Sequence, residues 1–164
     1  MHHRTTKTLL TLAVAIFMVA STGAGDSVAE IETTLDAFHA AASRADEEAY
    51  FELFAPEGVF LGTAPGERWT VEEFRAYAHP YFSQGRGWTY EMRERHVDLD
   101  PHGETAWFDE VLHNAKYGAT RGSGALRRID GTWRIVQYNL TIPIPNELAG
   151  EVVERIRSAS APPE

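Results

Sequence analysis

A change of hydrophobic period near residue 88 constrains this chain more than any other feature of it. Ahead of that point apolar residues recur at spacings of three and four, the repeat of helices packed by one face. Beyond it come long β-type runs: Trp88 to Leu99, Glu104 to Asn114, Tyr117 to Ile129 and Thr132 to Ile144. The breaks between them, Asp100-Pro101-His102-Gly103, Ala115-Lys116 and Asp130-Gly131, are short enough for antiparallel hairpins, so the second half reads as a meander. Helices first and a long sheet afterwards give an α+β fold, one curved antiparallel sheet wrapped around the N-terminal helices. Closed at one end and gaping at the other, such a sheet leaves a pocket.

The helical half divides at its caps. Ser27-Val28-Ala29-Glu30 is a capping box, and Val28, Ile31, Leu35, Phe38 and Ala42 then form the apolar face of a first helix. Asp46 caps a shorter second helix that carries Ala49, Tyr50, Leu53 and Phe54 and stops at Pro56. Gly58 to Gly62 is a short buried strand. Thr70-Val71-Glu72-Glu73 is a second capping box, opening a helix with Val71, Phe74, Ala78, Tyr81 and Phe82 on one side and Pro80 inside it. After the meander, Asn146 caps a last helix bearing Leu148, Val152, Val153 and Ile156, and Ser158 to Glu164 reads as a frayed tail.

The N-terminus has its own logic. His2, His3, Arg4 and Lys7 precede an apolar run from Leu9 to Ala20, and small residues from Ser21 to Gly25 follow, the layout of a secretory signal peptide over residues 1–24 with cleavage near Ala24. The run is shorter than the roughly 20 residues that cross a bilayer, so no membrane association is expected after cleavage, and the product is secreted or periplasmic. There is no cysteine, which excludes a lipoprotein anchor and disulfide staples alike. The formal charge is −9, and cleavage removes Arg4 and Lys7 to make it more negative. A chain that acidic is a poor partner for nucleic acid or anionic lipid.

Several stretches, in order, carry a resemblance: V-F-L-G-T (Val59 to Thr63), E-R-W-T (Glu67 to Thr70), A-W-F-D-E (Ala106 to Glu110), R-G-S-G (Arg121 to Gly124), W-R-I-V-Q-Y-N-L (Trp133 to Leu140) and P-I-P-N (Pro143 to Asn146). With the element order, they resemble the SnoaL-like branch of the nuclear transport factor 2-like superfamily. The matching region makes a SnoaL-like domain of residues 27–147, followed by a C-terminal helix and disordered tail over 148–164. The resemblance implies a cone-shaped, cystatin-like α+β roll with one internal cavity, often a homodimer through the outer face of the sheet. Its relatives include ketosteroid isomerase, polyketide cyclases, scytalone dehydratase and limonene epoxide hydrolase, beside members without catalysis. The enzymes among them need no cofactor and set an aspartate or histidine base in an apolar cavity opposite a hydrogen-bond donor. Here the first helix offers Phe38 and His39 where the isomerase would place a phenol.

Within Ala106 to Leu112, alternation sends one of Asp109 and Glu110 inward and the other out. A turn through Asn114 to Lys116 sets Asp109 opposite Arg121 and Trp107 opposite Ser123, while a two-residue turn sets Glu110 opposite Arg121. In either register Arg121 meets a carboxylate and lowers its pKa, as an ion pair or an anion clamp would. In the last strand, a two-residue loop at Asp130-Gly131 aligns Ser123 with Tyr138. A three-residue loop with a bulge aligns it with Gln137 and is favoured, because it puts Trp133 and Ile135 in the core and turns Gln137 and Asn139 toward the cavity with Asp109, Arg121 and Ser123. His113, near a hairpin end, is a candidate acid or base. His39 borders the cavity or packs in the core. The histidines show no metal-ligand spacing, so no metal is expected. Trp69, Tyr77, Tyr81, Phe82, Trp88 and Trp107 line a pocket for a flat apolar ligand, or fill the core. Two functions follow from these residues. One is an exported pocket protein holding a small, largely apolar molecule. The other is a cofactor-independent isomerase, cyclase or dehydratase with Asp109 as base and Arg121 or Asn139 stabilising negative charge.

Overall fold

The structure is a computed structural model that describes residues 23–160; residues 1–22 of the signal peptide read over 1–24, and the last four residues of the tail, lie outside the described residues. In chain order the elements are α1 (Ala24–Arg44), α2 (Glu47–Glu52), β1 (Phe54–Leu61), β2 (Arg68–Thr70), α3 (Val71–Phe82), β3 (Glu91–Leu99), β4 (Thr105–Asn114), β5 (Gly118–Ile129), β6 (Thr132–Thr141), a 3-10 turn (Asn146–Leu148) and α4 (Ala149–Ser160). The six strands form one sheet in the order β2-β1-β6-β5-β4-β3. The meander is antiparallel throughout, and β1 joins its β6 edge in parallel.

Helix α1 buries Ile31, Leu35, Phe38, Ala41 and Ala42, the face its periodicity predicts. It begins earlier than the Ser27 box: Gly23 is the N-cap, and Ser27 is already buried inside the first turn, its N–H on the Gly23 carbonyl. Asp46 caps α2 as expected, accepting from the Ala49 N–H at 3.2 Å. Thr70 and Glu73 close the predicted box at α3, and Pro80 is accommodated one turn from its end. Pro56 does not stop a helix. It lies in β1, inside the interval from Phe54 to Val59 where pairing with β6 is interrupted, so its missing N–H costs no ladder bond there. Asn146 opens the 3-10 turn without a side-chain cap.

Two details of the meander decide which residues face inward. Asn114 Oδ1 accepts from the N–H groups of Lys116 and Tyr117 (3.0 and 3.1 Å), giving a loop of Ala115, Lys116 and Tyr117 and pairing Asn114 with Gly118. Asp109 therefore stands opposite Ser123, and Arg121 opposite Val111, two residues along from the first register expected above and one from the second, so Arg121 meets no carboxylate across this pair. At the next turn Ile129 pairs with Thr132, and Asp130 (φ 50°) with Gly131 (φ 79°) makes a two-residue, type I′ connection. A bulge follows, since Ala125 pairs with Gln137 but Leu126 with Ile135, which leaves Val136 unpaired. That extra residue reverses the faces of β6 partway along. The loop is thus the two-residue one and not the three-residue one favoured above, and with the bulge Ser123 pairs with Asn139, not Gln137 or Tyr138. Trp133 and Ile135 are buried as expected, but beyond the bulge Tyr138 and Leu140 are buried in place of Gln137 and Asn139.

The core between sheet and helices is largely aromatic. Phe38, Tyr50 and Phe74 from the helices meet Phe54, Phe60, Phe108 and Tyr138 from the sheet. One acid, Glu110, is buried among them.

Candidate functional site

Burial alternates cleanly along β4, with Ala106, Phe108, Glu110 and Leu112 inside and Trp107, Asp109, Val111 and His113 outside. The enclosed acid is Glu110. The side chain of Arg95, directly across on β3, is 2% exposed, and its Nε donates to Glu110 Oε2 at 2.8 Å. From α1, His39 Nε2 lies 2.7 Å from Oε1, and from β6 the Tyr138 hydroxyl donates to the same oxygen at 2.9 Å. The other end of the guanidinium reaches outward, where Nη1 donates to Asp36 Oδ1 at 2.8 Å and to the Glu32 carbonyl at 3.2 Å.

Burial alone would push the Glu110 carboxyl up, but the hydrogen bond and charge of His39 and of Arg95 outweigh it and hold the carboxyl below the ordinary glutamate range. Burial and the Glu110 carboxylate push the Tyr138 phenol well above its ordinary value, which keeps it a donor. An ionised Glu110 only accepts, so His39 Nε2 carries the proton of that bond. The result is a fixed, paired carboxylate, poorly suited to act as a base because Arg95, His39 and Tyr138 already occupy both of its oxygens.

Above this cluster the cone opens into a cleft of about 580 Å³, within the range of small-molecule sites. Its walls include Phe60, Trp69, Phe74, Trp88, Tyr90 and Leu140, and its rim Glu67, Tyr77, Tyr81, His113, Lys116 and Tyr117. Several rings lie nearly parallel: Trp69 and Phe74 at 2° with centroids 5.6 Å apart, Phe60 and Phe74 at 16° and 3.9 Å, Trp69 and Tyr77 at 20° and 4.8 Å. Phe60, Trp88, Tyr90 and Leu140 also line a second, smaller space that touches His39 and Tyr138. That space is about 10 Å³, room for about one water. A molecule in the cleft is thus one water-sized step from the His39–Glu110 pair.

The sequence brought together several residues correctly but on the wrong side of the sheet. Asp109, Ser123 and Asn139 do align across neighbouring strands, yet on the outer face, with Arg121 on the same face and Gln137 exposed. Asp109 therefore cannot act as a base in the cavity, nor Arg121 or Asn139 as its partner there. The apolar Ala106, Phe108 and Leu112 take the inner face of β4 with Glu110 and turn Asp109 and its β5 neighbours outward, and the Val136 bulge turns Asn139 out with them. Trp107, 49% exposed, is also outside and not a pocket wall. Trp69, Tyr81 and His113 do line the cleft, and Glu110 lies beneath it. Arg95 and Tyr138 are the residues the sequence reading missed. For Arg95 there was a signal: it shares a strand face with Val97 and Leu99, where an arginine needs a buried partner. Among the described residues no three His, Cys, Asp or Glu side chains are grouped to hold a metal, and no helix is long and apolar enough to cross a membrane.

Fold and cleft together define the nuclear transport factor 2-like class, a conical α+β roll enclosing a pocket. A family profile for the SnoaL-like domain matches residues 31–145, and the chain belongs to that family. Among solved structures it is similar to an NTF2-like protein of unknown function from Pseudomonas putida KT2440, with 15% identity, 73% of this chain and 88% of that one covered and a TM-score of 0.61. A Nostoc punctiforme protein of unknown function with a cystatin-like fold gives 19% identity, coverage of 74% and 93%, and a TM-score of 0.59. An NTF2-like family member from Streptomyces avermitilis with a provisional dehydratase assignment gives 16%, 74% and 99%, and 0.61. At these identities the likeness concerns the fold. No curated protein matches the chain.

Proposed function

We propose that this is an exported SnoaL-like protein whose cleft holds a small, flat, largely apolar molecule. The observation that carries the reading is the near-parallel stack of Phe60, Trp69, Phe74 and Tyr77 beside a 580 Å³ opening, a geometry that favours offset stacking of a planar ring. Export is supported by the basic start, short apolar run and small residues ahead of Gly25. N-terminal sequencing of the product from a bacterial host would read a start near residue 25; a retained Met1 would contradict export.

A second reading is favoured by the one-water gap between the cleft and His39: acid-base catalysis, with His39 oriented by Glu110 and exchanging protons with a bound substrate through that water. The dehydratase assignment of the Streptomyces relative is compatible with such chemistry. One experiment addresses both. A panel of flat bicyclic and tricyclic compounds is expected to quench the fluorescence of Trp69 and Trp88 and raise the melting temperature, and Leu140→Trp is expected to abolish both effects by filling the cleft. Unchanged signals across the panel would remove the binding reading. His39→Asn is expected to leave binding intact; only if it also abolishes turnover of a bound compound does the catalytic reading stand.

A further inference from the structure

We infer that the molecule in the cleft carries a positive charge: an amine or quaternary ammonium on a flat apolar body, its cationic head lodged among Tyr77, Tyr81 and Tyr117 beside the carboxylate of Glu67. This rests on the cleft being a binding site, as proposed above, and adds the charge of the ligand.

The rim is built for a cation in three ways. Its phenol rings are half-exposed and present electron-rich faces, which attract ammonium and guanidinium groups within about 6 Å of a centroid. Glu67 supplies a formal charge in a fixed position. Its Oε2 accepts the Ala64 N–H at 3.0 Å, and its side chain lies so close over Gly62 that a Cβ there would come within 2.3 Å of the same oxygen. No Lys, Arg or His among the described residues is within ion-pairing distance of it. Burial, then Tyr81, Glu67 and Tyr117, push the Tyr77 phenol up, so these groups act on one another across the opening.

The chain's own cations already use this chemistry at the rim. Lys116 Nζ sits 4.7 Å from the Tyr117 ring centroid and donates to its hydroxyl at 3.0 Å, and the Arg86 guanidinium lies 5.4 Å from the Tyr81 centroid. A carboxylate or phosphate ligand would instead meet Glu67, Glu91 and the negative faces of the rings. Glu91 is offset by Arg93 at 2.5 Å, and Lys116, whose phenol partner is uncharged, is held on the Tyr117 ring, which leaves Glu67 as the carboxylate of the lining with no cationic partner among the described residues. The net charge of −9 adds a long-range bias in the same direction.

The test uses the full chain and three compounds of one shape: a naphthylmethyl trimethylammonium, its neutral neopentyl isostere and naphthylacetate, titrated by tryptophan fluorescence. The ammonium is expected to bind about tenfold tighter than the neutral isostere, in the range of cation–π attraction at a partly exposed site, and the carboxylate weakest. Glu67→Gln is expected to reduce the preference for the cation severalfold without changing the affinity for the neutral compound. Lys116→Met, which removes a competing charge, is expected to raise cation affinity. Equal binding of cation and isostere, or a preference untouched by Glu67→Gln, overturns the proposal and leaves the pocket reading in place. Failure of all three compounds to bind overturns both.

Discussion

Arg95→Met is expected to destabilise the fold by about 3–5 kcal/mol, the range found when one partner of a buried ion pair is removed. The cause is the carboxylate left behind: Glu110 is fully buried, and without Arg95 it keeps only His39 and Tyr138 to replace the water it lost. Urea unfolding at neutral pH measures the effect as a fall in midpoint. Arg95→Met combined with Glu110→Leu should cost less than Arg95→Met alone, since no unpaired charge is then enclosed. A double variant less stable than the single one would show that the cluster contributes more by attraction than its desolvation costs. The pH dependence has a definite sign. Glu110 titrates below its reference value of 4.5 in the folded protein, so the unfolded chain binds this proton more readily. The stability it contributes is complete above that value and is lost as pH falls through the folded one. In Arg95→Met the folded carboxyl moves up, and the acid limb of the stability curve should move to higher pH.

The second large effect is expected at Gly122, which faces the same cluster from β5. A Cβ there would stand 2.3 Å from the Tyr138 hydroxyl and 2.7 Å from Glu110 Oε1. Neither atom can retreat without breaking the 2.9 Å bond between them. Gly122→Ala should therefore destabilise by about 3 kcal/mol, an overpacking cost joined to a lost buried hydrogen bond. It should also disturb the cleft, because the Tyr138 ring lies parallel to Phe60 (7°, centroids 5.7 Å apart), a residue of the cleft wall. Tyr138→Phe removes the nearest clashing atom, so Gly122→Ala in that background should cost less than the two single effects added together. Strict additivity, measured by the same unfolding curves, would mean that the hydroxyl is not what Gly122 makes room for.

Much of the fold was legible because it depends on local pattern. The apolar spacing of Ile31, Leu35 and Phe38 placed α1, Thr70 and Glu73 marked the start of α3, and the short breaks at Asp100 and Asp130 fixed the meander. The site was legible only as a set of residues. Alternation along Ala106 to Leu112 shows that one acid is enclosed, but which one depends on strand parity, and parity depends on single residues elsewhere. The side chain of Asn114 shifted one turn to Ala115–Tyr117 and so set the register of β5, and the unpaired Val136 reversed β6 halfway, so Tyr138 came inside while Asn139 went out.

By itself, then, the sequence determined the α+β order, the antiparallel meander and the family to which the chain belongs. Those features rest on interactions a few residues apart. Only the tertiary structure decided that Asp109 faces outward, and that Glu110 is held by a histidine 71 residues away and an arginine 15 residues away. A buried charge takes whichever partner the fold brings to it, and no local pattern along the chain records that meeting.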